Sequence, residues 1–272
     1  MSNYKEEIEK MVWSYSRLTS FEHCPYEFYL NYIVKNDEEY LSEGNFYGES
    51  GNFVHDILAK IFTKELTPEE AALYFVENFD DNVFYKVRES TMNKSFESCA
   101  EYFGSADFEW INDYEILGVE QKFEFTLKKN NFIGFIDLLL RDKKDNKIVI
   151  MDHKSSSYPF KVNGKDLKAN AADNFNKYKK QMYLYSHWVK EAYGEFPKEL
   201  IWNHFKDGGK LAKFTFNEDE YNETIKWALD IIKKIKKENN FRAISEDEES
   251  AKKEWNYCHV LCGFRHSCEY IE

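Results

Sequence analysis

The chain has 272 residues, and its 37 lysines and arginines against 49 aspartates and glutamates give a formal net charge of −12. With 43% hydrophobic residues, 18% aromatic residues, 4 prolines and 11 glycines, the composition excludes a disordered, collagen-like or linker-dominated chain and predicts a compact fold. The net charge argues against a nucleic-acid-binding surface that is basic throughout.

The sequence has neither a stretch of about 18 consecutive apolar residues nor an apolar leader segment near its start. We therefore expect a cytoplasmic protein that has no membrane partner. Its five cysteines are an odd number, which fits a reducing compartment better than a set of disulfides.

Apolar residues recur every three or four positions in the first hundred residues, which is the spacing of a buried helix face. The pattern is clearest at Phe21, Cys24, Phe28 and Tyr32. Residues 1–113 are therefore predicted to form a helical N-terminal region.

From residue 115 the pattern changes to short apolar runs separated by polar turns, which is typical of strands. Runs that end near residues 125, 140 and 152 predict a three-stranded meander. Two further runs flank an Asp-Gly-Gly turn at 207–209 and predict a hairpin. Amphipathic helices are predicted over 173–193 and 218–237.

These elements predict the α/β fold class, with a central mixed β-sheet flanked by helices. We expect a single domain over 1–272. Within it, the helical N-terminal region at 1–113 precedes a core at 114–240 and a C-terminal segment at 241–272 that carries three of the five cysteines.

Two carboxylates and a lysine are predicted to meet on neighbouring strands. Asp137 interrupts an apolar strand, where a charge is costly unless it is paired or bound to a cation. Asp152 and Lys154 alternate on the next strand and so share one face. Carboxylate oxygens bind Mg²⁺ or Mn²⁺, and a nearby lysine can stabilise negative charge on a phosphate. The same residues could instead form an ordinary ion pair at a strand end.

The order of these residues resembles the D…(D/E)xK signature of the PD-(D/E)xK nuclease superfamily, with Asp137 followed by Asp152, His153 and Lys154. Three further segments resemble motifs of its RecB-like branch: GNFVH at 51–55 for GxxxH, GFID at 134–137 for GxxD, and QMYLY at 181–185 for QxxxY. The resemblance covers roughly 14–268. It implies a restriction-endonuclease-like core and a Mg²⁺- or Mn²⁺-dependent deoxyribonuclease.

The resemblance also implies roles for individual residues. His55, Asp137 and Asp152 would bind the metal, and the backbone carbonyl of His153 could add a ligand. Lys154 would be the catalytic lysine. Gln181 and Tyr185, one helical turn apart, would position the active site or the DNA strand. Glu120 lies where these nucleases often carry an acidic residue, although it could equally be a solvated strand residue, and His55 could be an ordinary helix residue.

The segment 16–28 resembles the opening of an iron-sulfur subset of this branch, which includes the AddB nuclease domain and exonucleases of CRISPR adaptation. That likeness implies a [4Fe-4S] cluster held by Cys24, Cys258, Cys262 and Cys268. Three residues separate Cys258 from Cys262, where the family usually has two. A Zn²⁺ site with the same thiolates, or with His259 or His266, is an alternative, as are unliganded thiols. Cys99 is expected to be a buried apolar residue.

Lysine-bearing segments at 161–190 and 226–242 offer local positive charge for DNA, or they are ordinary solvated helix faces. The resemblance implies an exonuclease on single-stranded DNA or duplex ends, in recombination, repair or phage DNA processing. An alternative is a non-catalytic DNA-binding or iron-sulfur module of a helicase-nuclease complex. The sequence has no P-loop pattern, so a helicase motor or recombination protein would be a separate partner.

Overall fold

The computed structural model describes residues 4–34, 42–161, 166–169 and 171–271. The chain divides into two compact units. The first comprises Met1–Asn45, Glu124–Ile133 and Asn222–Glu272, and the second comprises Phe46–Phe123 and Gly134–Tyr221. Both units combine stretches that are distant in sequence, and the single-domain organisation over 1–272 stays a prediction. Within the described ranges, no helix is long and apolar enough to cross a membrane.

The helices fall mostly in the N-terminal part of the chain and around the later strands. The α-helices are α1 Tyr4–Glu9, α2 Tyr15–His23, α3 Pro25–Tyr29, α4 Phe46–Phe62, α5 Pro68–Asn82, α6 Glu89–Ser105, α7 Ala172–Tyr193, α8 Glu218–Lys237 and α9 Glu248–Lys253. Short π-helical turns cover Leu30–Val34 and Tyr257–Leu261, and 3₁₀ turns cover Glu109–Asp113, Phe205–Asp207 and Ile244–Glu246.

Local sequence explains where several of these helices begin and end. Thr67 and Glu70 form a capping box at the start of α5, where Pro68 occupies the first turn. Gly194 ends α7 with a φ of 77°, a left-handed conformation that glycine adopts without strain. In α8, acidic residues in the first turn and lysines in the last complement the helix dipole.

Five strands form one mixed sheet in the order β1-β2-β3-β4-β5. The strands are β1 Tyr114–Leu127, β2 Asn130–Asp142, β3 Ile148–Lys154, β4 Glu199–His204 and β5 Lys210–Thr215. The β2–β3 and β4–β5 pairs are antiparallel, whereas β3 and β4 are parallel. The parallel pair needs the long crossover that α7 supplies. The predicted α/β class with a mixed sheet flanked by helices is therefore confirmed.

In the second unit, helices cover both faces of the central strands. Val149 and Ile201 belong to one buried cluster with apolar side chains of α4, α5 and α6. Alternate strand residues face opposite sides of a sheet. Accordingly, Trp202 packs against Phe175 of α7, with ring centroids 5.0 Å apart. The C-terminal end of β3 lies beside both β2 and β4 and so brings residues of three strands close to helices α4 and α7.

Candidate active site and thiol cluster

A histidine and two carboxylates meet in the second unit. His55 lies on α4, and its Nδ1 is 3.5 Å from Asp137 Oδ2 on β2 and 3.8 Å from Glu120 Oε1 on β1. Its Nε2 is 3.1 Å from the carbonyl oxygen of His153 on β3. Among the described residues, His55, Glu120 and Asp137 form the group of acidic, histidine or cysteine side chains whose ligand atoms all lie within 4.8 Å of one another.

Asp137 is the most perturbed acid of this group. Its side chain is only 12% exposed. One oxygen, Oδ2, accepts a hydrogen bond from the backbone N–H of His153 at 2.7 Å. Burial, followed by the charge of Asp152, raises the pKa of Asp137 to about 7. Burial acts to lower the pKa of His55, but the nearby carboxylates of Glu120 and Asp137 raise it overall. The Asp137 carboxyl group and the His55 ring therefore favour a positive charge between them, which is either a shared proton or a bound metal cation.

Lys154 is held in place by an ion pair and by helix α7. Its Nζ lies 2.7 Å from Asp152 Oδ2 and donates a hydrogen bond to Gln181 Oε1 at 3.1 Å. Gln181 Nε2 in turn donates to Tyr185 Oη at 3.1 Å, which fixes the orientation of the amide. The ammonium also lies 4.8 Å from the ring centroid of Tyr178. A continuous series of contacts thus connects four of the residues predicted for the active site, namely Asp152, Lys154, Gln181 and Tyr185.

Asp152 is almost fully buried and only partly satisfied. It is 4% exposed, and its Oδ2 has an ion pair with Lys154 whose angles do not make a hydrogen bond. The Lys154 ammonium compensates the charge of this buried oxygen. Asp152 lies on the strand that supplies the His153 carbonyl, and these oxygen donors suit a hard divalent cation.

Glu120 reaches the site through an unusual backbone conformation. Its φ is 46°, in the left-handed region, which costs a non-glycine residue about 1–2 kcal/mol. The neighbouring Val119 packs against the core cluster of the second unit, although adjacent strand residues would normally face opposite sides. The break in alternation brings the Glu120 carboxylate to His55. Such strain in a strand is common beside functional sites.

Two further residues at the site, Asn203 and Tyr102, were not predicted from the sequence. Asn203 on β4 donates hydrogen bonds to His153 Nδ1 at 3.0 Å and to Tyr102 Oη at 2.9 Å. Burial, with the charges of His55 and Lys154, lowers the pKa of His153 well below its usual value. The His153 ring is therefore neutral and fixed, which holds its carbonyl towards His55. A polar Asn within an apolar strand was the available sequence signal.

The four cysteines of the cluster hypothesis lie together in the first unit. Cys24 and Cys262 share a buried apolar cluster, against which Cys268 packs. Burial raises the pKa of Cys258 to about 11, and the charges of Cys24 and Cys268 add to that shift. Backbone N–H groups approach two of the sulfurs, at 3.5 Å for Cys24 and 3.4 Å for Cys262. Cys99 is fully buried in the second unit, as expected.

The thiol cluster is more open than a closed zinc site. Tetrahedral zinc with bonds of about 2.3 Å would bring its sulfurs within about 4 Å of one another. In the part of the chain that the structure describes, no three cysteine sulfurs lie within 4.8 Å of one another. His259 has its Nδ1 2.9 Å from the carbonyl oxygen of Trp255, and the side chain of His266 is 67% exposed.

Many lysines of the segment 161–190 contact the protein itself. Lys168 donates to the carbonyl of Tyr158, Lys190 to the carbonyl of Gly194, and Lys179 pairs with Glu220. Lys165, which also contributed to the predicted charge, lies outside the described residues. In the first unit, a groove of about 540 Å³ has an apolar base and cationic walls, lined by Lys128, Lys129, Leu229, Ile232, Lys233, Lys236 and Lys237.

The sequence matches the family model of the PD-(D/E)XK nuclease superfamily over residues 12–269. In three dimensions, the chain is similar to a protein of Eubacterium rectale named "Putative exonuclease" in its crystal structure. The TM-score is 0.53 at 12% sequence identity, over 92% of this chain and 90% of that chain. At this identity the likeness concerns the fold alone. No curated protein matches the sequence.

Proposed function

The chain belongs to the PD-(D/E)XK nuclease superfamily of hydrolytic, divalent-metal-dependent nucleases, and we propose that it is a RecB-like exonuclease acting on DNA. The observation that carries the proposal is the convergence of His55, Asp137 and the Asp152–Lys154 pair within one unit. The proposed substrate is single-stranded DNA or a duplex end, met in recombination, repair or phage DNA processing. The printed name of the Eubacterium rectale protein agrees with exonuclease action.

We propose that His55, Asp137, Asp152 and the carbonyl of His153 bind Mg²⁺ or Mn²⁺, with Glu120 as an additional carboxylate. The raised pKa of Asp137 and the close approach of the ligand atoms of His55, Glu120 and Asp137 support this assignment, because a cation relieves the cost of burying the Asp137 carboxylate. When bound, such an ion supplies Lewis-acid polarisation of the scissile phosphodiester.

Lys154 is proposed as the catalytic lysine. Burial acts to lower its pKa, but the negative charges of Asp152 and Asp137 raise the pKa overall, so the side chain remains an ammonium. Gln181 and Tyr185 hold the ammonium in one orientation. A fixed positive charge can stabilise the negative charge that develops on the phosphate oxygens during hydrolysis.

An exposed aromatic ring supports a polynucleotide substrate. Phe135 is 51% exposed and lies two residues before Asp137 on β2, so the two side chains share a face of the sheet. Aromatic rings beside a phosphate site provide stacking surfaces for unpaired bases. We therefore propose that a DNA strand passes over Phe135 on its way to the carboxylates.

The direct test is incubation of the purified protein with Mn²⁺ and end-labelled single-stranded or duplex DNA. We expect cleavage that proceeds from an end. Asp152→Ala and Lys154→Ala should abolish cleavage, whereas Lys144→Ala, in an exposed turn before β3, should not. Circular dichroism would establish that each variant is folded. Undiminished cleavage by both site variants would reject the proposed site.

We also propose that Cys24, Cys258, Cys262 and Cys268 bind a [4Fe-4S] cluster. The support is their grouping in one unit and the N–H groups near two sulfurs. Anaerobically purified protein should absorb visible light and contain iron and sulfide. Cys262→Ser should lose both, and Cys99→Ser should keep them. Colourless protein rich in zinc would refute the cluster.

The alternative function is a non-catalytic DNA-binding module that works with a helicase. It is favoured by the lysine-lined groove of the first unit, which offers positive charge to phosphates. Binding of labelled DNA without cleavage in Mg²⁺ or Mn²⁺ would support the module and contradict the nuclease.

A further inference from the structure

The lysine-lined groove of the first unit lies between helix α8 and the turn that joins β1 to β2. Its lining residues on α8 follow the i, i+3, i+4, i+7, i+8 spacing of one helix face, and they are Leu229, Ile232, Lys233, Lys236 and Lys237. At a rise of about 1.5 Å per residue, this face is about 12 Å long, which matches about four residues of an extended chain. The groove therefore has the size of a site for a short peptide segment.

The two-residue turn between β1 and β2 supplies the opposite wall. Lys128 and Lys129 are both exposed, whereas Asn130 is buried and its Nδ2 donates to the carbonyl oxygen of Leu127 at 3.4 Å. Lys128 has a φ of 57°, a left-handed conformation that glycine adopts at lower cost and usually occupies at the start of such a turn. The turn therefore holds two lysines at the rim of the groove, one of them in a position that does not favour a long side chain.

Most of the positive charge around the groove is not neutralised by the protein itself. Four of the five groove lysines have no ion pair with a carboxylate of the described residues, namely Lys128, Lys129, Lys233 and Lys237. The fifth, Lys236, pairs with Glu9 at 3.0 Å. Because the whole chain carries a net charge of −12, this group of unpaired cations is a local feature. It attracts an anionic ligand to the groove.

The base of the groove selects among anionic ligands. Leu229 is half-buried and Ile232 is more deeply buried, so the accessible apolar surface is that of Leu229 together with the aliphatic stems of the lysines. No aromatic ring lines the groove, although unpaired bases bind chiefly by stacking on such rings. Phosphates need cations but no apolar base. A ligand with both carboxylates and apolar side chains therefore suits the groove better than DNA does.

We propose that the groove binds a short acidic segment of a partner protein, in which carboxylates flank one or two large apolar side chains. The carboxylates pair with lysines of both walls, and the apolar side chains cover Leu229. The groove belongs to the first unit, whereas the proposed metal ligands belong to the second. Recruitment of the partner therefore does not require DNA cleavage.

The test measures binding of a fluorescein-labelled peptide, DDELFDED, by fluorescence anisotropy at physiological salt. Two control peptides separate the contributions of charge and apolar surface. DDESSDED keeps the carboxylates without the apolar side chains, and NNQLFNQN keeps the apolar side chains without the charge. We expect wild type to bind DDELFDED at least about tenfold more tightly than either control.

The peptide results alone can overturn the proposal in two ways. If DDESSDED binds as tightly as DDELFDED, the apolar base has no role in recognition. If DDELFDED shows no saturable binding up to about 1 mM, the groove does not hold an acidic segment.

A pair of double variants locates the binding site on the protein. Lys129→Glu with Lys233→Glu reverses one charge on each wall of the groove. Lys226→Glu with Lys234→Glu is the matched control, because it reverses two exposed charges of α8 outside the lining. We expect the groove variant to bind DDELFDED at least about tenfold more weakly, and the control to remain within about twofold of wild type.

Two results with these variants would contradict the proposal. Equal loss in both variants would assign peptide binding to the overall charge and not to the groove. The other result concerns a labelled 12-nucleotide thymidine strand. If wild type binds this strand more tightly than DDELFDED, and the groove variant alone loses that affinity, the groove is a DNA site.

Discussion

Asp137 is expected to destabilise the metal-free protein at neutral and alkaline pH. Its pKa rises from 3.8 to about 7 on folding because the carboxylate is buried near Asp152. Between these values the folded state keeps a proton that the unfolded state releases, so stability falls as pH rises from about 4 to 7. About three pKa units at 1.36 kcal/mol each correspond to about 4 kcal/mol at pH 8, and to about 2 kcal/mol at pH 5.

Asp137→Asn removes this cost while keeping an oxygen that can accept from the His153 N–H. We expect the variant to raise the free energy of unfolding at pH 8 by about 2–4 kcal/mol, because some attraction to His55 is lost with the charge. The gain at pH 5 should be smaller. Urea unfolding in EDTA at both pH values measures the difference. Mn²⁺ should stabilise the wild type but not the variant.

Asp142, on the same strand, provides a control of opposite sign. Its hydrogen bond with Lys198 lowers its pKa, so the carboxylate stabilises the fold above about pH 4 and this contribution is lost as pH falls. Asp142→Asn should therefore reduce stability at pH 8. If Asp137→Asn were also less stable than wild type at pH 8 in EDTA, burial would not be the cause of the Asp137 shift.

Four further substitutions test the chemistry, the packing and the substrate contact separately. Lys154→Met should lower the single-turnover cleavage rate at least about 100-fold while Mn²⁺ still raises the melting temperature. Gly134→Ala should lose about 1–3 kcal/mol in urea unfolding, because its Cβ would lie 2.4 Å from the packed ring of Phe123, whereas Gly51→Ala, with open space around it, should gain up to about 1 kcal/mol. Phe135→Ala should weaken single-stranded DNA binding by about 1–3 kcal/mol in fluorescence anisotropy, with little change in stability; unchanged binding would contradict the stacking role.

The sheet and the central part of the candidate site could be predicted because both depend on local patterns. The short apolar run that ends at Met151 follows a polar turn and indicates a strand that is covered on both faces, and all residues of β3 before Lys154 are buried. The alternation of Asp152 and Lys154 then fixes their common face. The Gln181–Tyr185 spacing likewise follows from helix geometry, and their hydrogen bond has the expected i, i+4 separation.

Other features depend on contacts that no local pattern contains. The positive φ of Glu120 is stabilised only within the folded unit, since glutamate has no intrinsic preference for it. Asn203 and His204 lie within a predicted strand, but their partners lie about 50 residues away or further. The hairpin residues 124–133 belong to the first unit although their flanking residues belong to the second. Such assignments require the tertiary structure.

The charge of the site reconciles an acidic protein with a polyanionic substrate. With Glu120, Asp137 and Asp152 ionised and His55 and Lys154 protonated, the side chains sum to 2 − 3 = −1. A divalent cation adds two positive charges, and His55 must lose its proton to coordinate it, so the sum becomes −3 + 1 + 2 = 0 and the site no longer repels a phosphodiester. The overall charge of −12 then matters little at the scissile phosphate, because exposed charges beyond about 8–10 Å are screened at physiological salt. For the proposed nuclease, DNA affinity at this site would therefore depend on metal occupancy more than on a basic surface.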